Sequence, residues 1–136
     1  MKHQCKVTVL ETTCRKDLQE KYLADPASGP CPFFKPGQVF LFERTPQRDD
    51  FYHLADGKFC GEAWDCVSRY IYTALQGGSI MSGWTKDERM MIAGCNDGTR
   101  QVIFKIERID IPESDGEAAW LAQQDFTNTA EDAYTG

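Results

Sequence analysis

Five consecutive residues, Asn96-Asp97-Gly98-Thr99-Arg100, separate two strand-like runs, 89 to 95 and 101 to 111. An Asn-Asp-Gly step supplies positive φ at low cost, so the spacing predicts a hairpin and commits this part of the chain to antiparallel pairing. On the second run Val102, Phe104, Ile106 and Arg108 share one parity, and Ile103, Lys105, Glu107 and Ile109 the other.

The rest of the chain supplies partners for that hairpin. Residues 5 to 11 alternate, with Cys5, Val7 and Val9 on one face, and Gln38 to Glu43 reads as a second strand from its aromatic and β-branched content. Between them, Leu18 and Tyr22 stand four apart on a short amphipathic helix that Thr13 would cap. Residues 27 to 37 form a Pro/Gly loop, and 44 to 58 a polar connection positioned to fold over a site. Gly61 to Gln76 is the clearest helix, with Trp64, Val67, Ile71, Ala74 and Leu75 as its apolar stripe and Gly77-Gly78 as its stop. The order βαβαββ predicts an α+β fold, a small, mainly antiparallel sheet packed against one long helix.

A chain of 136 residues buries one sizeable core and is too short for two ordinary domains. Residues 1 to 111 are expected as a single domain, and 112 to 136 as an acidic tail with a short helix over 117 to 126. The formal charge of −6 lies in that tail, where Glu113, Asp115, Glu117, Asp125, Glu131 and Asp132 meet no lysine or arginine. The balanced remainder offers no basic face for nucleic acid. No run approaches the roughly 18 apolar residues of a membrane span, and the N-terminal residues lack the apolar stretch of a signal peptide. A cytoplasmic protein with no membrane partner and reduced thiols is therefore expected.

Six cysteines carry most of the chemistry. Cys31 lies between Pro30 and Pro32, which restrict the backbone on both sides and aim its thiol. Cys60 precedes the long helix, whose positive end would favour a thiolate. Cys95 adjoins the hairpin turn. Cys60 could equally be an inert buried thiol, Gly29-Pro30-Cys31-Pro32 could merely stiffen a loop, and the parity of Cys95 with Met91 and Ala93 favours its burial, though the turn could re-aim it. Cys60 and Cys66, six helical residues apart, would diverge by roughly 120°. A site of Cys31, Cys60 and Cys95, with His53 as fourth ligand, would suit a thiophilic metal: zinc, copper or an iron–sulfur cluster. The paired Cys-x2–4-Cys spacing of structural zinc sites is absent from the sequence. Cys60 as a nucleophile assisted by His53, Asp65 or Asp97 is the catalytic version, with Arg100 available to bind a carboxylate or to tie down the hairpin. Trp64, Tyr70, Tyr72 and Trp84 would line a pocket, or more simply join the core.

These blocks, Gly29-Pro30-Cys31-Pro32, Gly37-Gln38-Val39-Phe40, Phe59-Cys60 with Ala63-Trp64, and Cys95 to Arg100 with Val102 to Arg108, resemble a family of small cysteine-containing proteins of no established activity. The resemblance places Cys31, Cys60 and Cys95 in the family pattern. It differs at Gly94, where a second cysteine is expected, and at Gln101, where proline is expected. The expected function is a cysteine-based metal-binding or thiol-redox site, with Asp97 and Arg100 as supporting groups. The alternatives are a non-catalytic interaction module acting through homodimerisation or partner binding, and a small-molecule enzyme with a cysteine or acid catalyst.

Overall fold

A computed structural model describes residues 2–112, so the expected tail and its helix lie outside the described residues. Four strands form one antiparallel sheet in the order β2-β1-β6-β5: β1 (Lys2–Thr12), β2 (Val39–Phe42), β5 (Met90–Gly94) and β6 (Val102–Ile111). Helix α1 (Lys16–Tyr22) follows β1. A two-stranded ribbon, β3 (Arg44–Thr45) with β4 (Arg48–Asp49), and a one-turn element, α2 (Leu54–Gly57), precede the long helix α3 (Gly61–Leu75). The α+β class and the antiparallel sheet are as the pattern predicts.

The period-2 pattern sorts the two faces. Cys5, Val7 and Val9 of β1, Phe40 and Phe42 of β2, and Val102, Phe104 and Ile106 of β6 are buried against Ala63, Val67, Ile71, Ala74 and Leu75 of α3. Phe34, from the Pro/Gly loop, closes one end of this core edge-on to Phe104, with ring centroids 5.1 Å apart. The opposite face carries rows fixed by register: Leu41, Lys6, Glu107 and Met90 in one, Val39, Thr8, Lys105 and Ile92 in the next. Charged groups thus run down the middle of that face and apolar groups along its edges.

Arg108 has core parity but sits where α3 ends. Its guanidinium donates to the carbonyls of Gly77 (3.1 Å) and Gly78 (2.6 Å) and forks onto Asp110, so the helix C-terminus is anchored to β6. Gly77 itself takes φ +78°, and a Cβ there would collide with the His3 ring.

Three local expectations change. Arg15, not Thr13, occupies the α1 N-cap position, and the Thr13 hydroxyl donates to the Gln101 carbonyl instead. The buried residue of α1 is Gln19, while Tyr22 is 68% exposed. The hairpin turn needs no left-handed residue, since none of residues 96 to 98 has positive φ. Asp97 makes the turn instead: its Oδ1 accepts from the Thr99 N–H (2.9 Å), the Thr99 hydroxyl (3.1 Å) and the Arg100 N–H (3.2 Å), while Oδ2 meets Arg100 Nε at 3.2 Å.

Burial alone would push the Asp97 carboxyl up. The donors of Thr99 and Arg100 outweigh it and hold the group below its ordinary value. A depressed folded-state pKa stabilises the protein above the unfolded value of about 3.9 and is lost as pH falls through the folded value. Asp97→Asn should therefore cost at most about 1 kcal/mol at pH 7, solvent screening a pair that is about one-third exposed. Urea unfolding should show the gap from the parent protein narrowing between pH 5 and pH 3.

Candidate functional site

The hairpin turn, the Gly-Pro-Cys-Pro loop and the first half of α3 meet at one end of the sheet. Cys60 is the N-cap residue of α3, with extended backbone (φ −73°, ψ 140°) and a carbonyl that accepts from the Trp64 N–H at 2.9 Å. The first-turn N–H groups have no intrahelical acceptor, which gives this end of the helix its positive character. On the first turn, the Glu62 carbonyl accepts from the Asn96 N–H at 3.4 Å. One turn further, the Cys66 thiol donates to Asn96 Oδ1 at 2.9 Å. Helix and hairpin turn are thus tied at two points.

Cys95, next to Asn96, points inward and is buried. Its N–H donates to the Val102 carbonyl (3.1 Å), and its sulfur accepts from the Val102 N–H (3.3 Å). Burial pushes the Cys66 thiol up, and the nearby Cys95, Asp65 and Glu62 add to that against the pull of Arg69. Cys5 is a different case. Buried near the opposite end of α3, it is raised well above the usual thiol range, chiefly by burial, and reads as an inert core group.

Gln19 joins the loop to the turn. Its side-chain Nε2 donates to the Gly29 carbonyl (2.9 Å) and, more weakly, to Thr99 Oγ1 (3.4 Å). Its Oε1 accepts from the Gly29 N–H (3.0 Å) and the Cys14 thiol (3.5 Å). A buried amide satisfied on both sides fixes Gly29, and with it the approach of Pro30 and Cys31. Cys31 and Cys60 each pack partly buried against the core, and Cys31 sulfur accepts from the Phe33 N–H at 3.4 Å.

The structure places the sequence-predicted groups differently from a single metal centre. Among the described residues no three His, Cys, Asp or Glu side chains are grouped so as to hold a metal ion, so Cys31, Cys60, Cys95 and His53 do not form one ligand set. The hairpin turns Cys95 into the core. His53 belongs instead to the 44–58 segment, in an open cleft of about 570 Å³ shared with the β2 edge, Arg48, Asp50 and Lys58. That segment is ordered by Asp50, whose carboxylate accepts from the Glu43 N–H (2.8 Å) and Arg48 Nε (2.7 Å). Asp97 and Arg100 are occupied with each other in the turn. Trp64 joins the aromatic cluster beside Phe59 and Phe42, whereas Trp84 is 75% exposed.

Gly94 and Gln101 are coupled locally. A Cβ at position 94 would stand 2.6 Å from Cδ of Gln101, whose amide donates to the Cys95 carbonyl at 3.1 Å. The Gln101 side chain fills the space that a residue larger than glycine would need. Sequence reading missed Cys66, Asn96 and Gln19 as members of this site. The pairing of Cys66 with Asn96 spans 30 positions and has no local signature, and Gln19 shows only as a polar residue on a short helix.

Gln19→Leu should leave both Gly29 groups without their protein partners and cost about 1–3 kcal/mol, water recovering part of the loss. Hydrogen exchange should accelerate over residues 29 to 33 and 97 to 100, and stay unchanged at the centre of β6.

Among the described residues no helix is long and apolar enough to cross a membrane. No family model, curated protein or solved structure matches this chain, so function is read from the geometry of the site itself.

Proposed function

We propose that this is a thiol-redox protein of the reducing cytoplasm, with its working thiols at the N-terminal half of α3. The single observation that carries this reading is the Cys66 thiol hydrogen-bonded to Asn96, immediately beside buried Cys95. Burial holds the Cys66 thiol above its ordinary value, so attack goes through its minor thiolate fraction, with Cys95 as the thiol that resolves the product. With a hydroperoxide as oxidant, one thiolate attacks the terminal oxygen, the O–O bond breaks, and the leaving alkoxide takes a proton to become an alcohol. The resulting sulfenic acid is attacked by the second thiol, an S–S bond forms and water departs. Two thiols are oxidised and one hydroperoxide is reduced. Cys60, at the helix N-cap, and Cys31, on the Pro-flanked loop, are the further partly buried thiols packed against the same core.

Hydrogen peroxide treatment of the reduced protein should remove about 2 Da per disulfide formed, and peptide mapping should recover a Cys66–Cys95 cross-link. Cys66→Ser and Cys95→Ser should each abolish that cross-link. Oxidation elsewhere with Cys66 and Cys95 still free sinks the redox reading; stoichiometric zinc after anaerobic purification, lost in both variants, assigns the same thiols to ligation.

A second reading, homodimerisation, is favoured by the outer sheet face. Val39, Leu41 and Ile92 are all at least 40% exposed, and they flank a central pair in which Lys105 lies 3.4 Å from Glu107. A twofold axis through that pair would set each lysine against the other copy's glutamate, making the face self-complementary. Light scattering should give a dimer mass that reverts to monomer in Leu41→Lys; a monomer at all concentrations removes this reading.

A further inference from the structure

A second pocket lies away from the thiols, between the β3–β4 ribbon and the C-terminal end of α3. Phe51, Tyr52, Tyr72 and Leu75 form its walls, with Arg44, Asp49 and Gln76 as its polar groups. Its volume is about 40 Å³, room for a group the size of an ammonium ion rather than for a whole metabolite.

Asp49 makes this pocket chemically unusual. The residue is 5% exposed, its Oδ1 is buried without a hydrogen-bond partner, and its Oδ2 lies 3.8 Å from Arg44 Nε, an atom that is likewise buried without a hydrogen bond. A buried carboxylate oxygen with no donor is costly, and native proteins rarely keep one without a reason. Burial pushes the Asp49 carboxyl up, against the pull of the Tyr52 and Phe51 N–H groups and of the Arg44 and His53 charges. Asp50, next in the chain, has both oxygens supplied with donors. Of these two acids only Asp49 lines this pocket, and it is Asp49 whose Oδ1 has no hydrogen-bond partner.

The surroundings indicate which donor would suit. The last turn of α3 ends at the pocket, and a helix C-terminus carries partial negative charge. The rim consists of the rings of Tyr52 and Tyr72, 37% and 43% exposed, each with its centroid 5.2 Å from that of Phe51. Carboxylate, helix end and aromatic faces all attract a cationic N–H donor. Arg44 offsets part of the negative charge, which favours a single compact ammonium over a dication. We propose that this pocket binds the ammonium group of a primary amine, Asp49 Oδ1 accepting one of its N–H bonds and the exposed Tyr52 and Tyr72 rings covering its carbon stem.

The test is an NMR titration of the full chain with n-butylamine at pH 7 and constant ionic strength, beside n-butanol as the neutral control. Expected are saturable shifts confined to residues 44 to 52 and 72 to 76, little response to the alcohol, and at least about tenfold weaker binding in Asp49→Asn. Tyr52→Leu, which leaves the carboxylate in place, should weaken binding severalfold; it and the alcohol comparison decide the matter if Asp49→Asn fails to fold. A lysine-containing peptide that binds tighter than butylamine assigns the ammonium to a protein side chain, and the reverse order assigns it to a free amine. Shifts that never saturate, equal responses to amine and alcohol, or undiminished binding in the variants overturn the proposal.

Discussion

The ladder between β1 and β6 is the constraint on which the remaining structure depends. It pairs Lys2 with Ile111 and Thr12 with Val102, so the two ends of the described chain lie side by side. Both sheet edges attach to this pair, and α3 packs on its inner face, where Cys5, Val7 and Val9 meet Phe104 and Ile106. Closing a loop of this length before any of those contacts form carries an entropic cost, and the apolar burial that follows must exceed it. The bulge between Val9 and Glu11 bends β1 at the end where the hairpin turn and the Gly29 loop gather.

Around that apolar frame, single polar side chains position the irregular segments. Gln19 holds the Gly29 loop, Asp97 forms the hairpin turn, Asp50 orders the β3–β4 segment and Arg108 anchors the end of α3. Each has its donors or acceptors matched, which makes a buried polar group an asset rather than a cost. Asp49 departs from this pattern within the same fold. Its unmatched oxygen coincides with an aromatic-walled pocket, and that coincidence separates it from its neighbour Asp50.

The thiols divide by environment. Cys5 is sealed in the core under the far end of α3, Cys66 and Cys95 lie where helix and hairpin turn are tied by Asn96, and Cys31 and Cys60 pack partly buried against the core from the loop and the helix N-cap. The hairpin's register turns Cys95 inward, and the helix's rotation carries Cys66 towards Asn96 rather than towards Cys60. The absence of a side chain at Gly94 makes room for Gln101 over the same turn, so the site's outer wall is set by side-chain volume as well as by sulfur.

The alternation of residues 5 to 11 and 102 to 106, the 3.6-residue stripe of α3 and the Gly77-Gly78 stop were enough to determine the sheet, the long helix and most of the core. Period and burial are local properties that a chain displays before it folds. Cys60's place at the head of α3 was legible for the same reason. Only the tertiary structure decided that Cys66 is the partner of the Cys95 turn, that His53 lies in another cleft, that Gln19 is the buried face of α1, and that Asp49 rather than Asp50 keeps an unmatched oxygen. Those outcomes depend on which side chains meet across tens of residues, and on whether a polar atom finds its complement there. No periodicity records either.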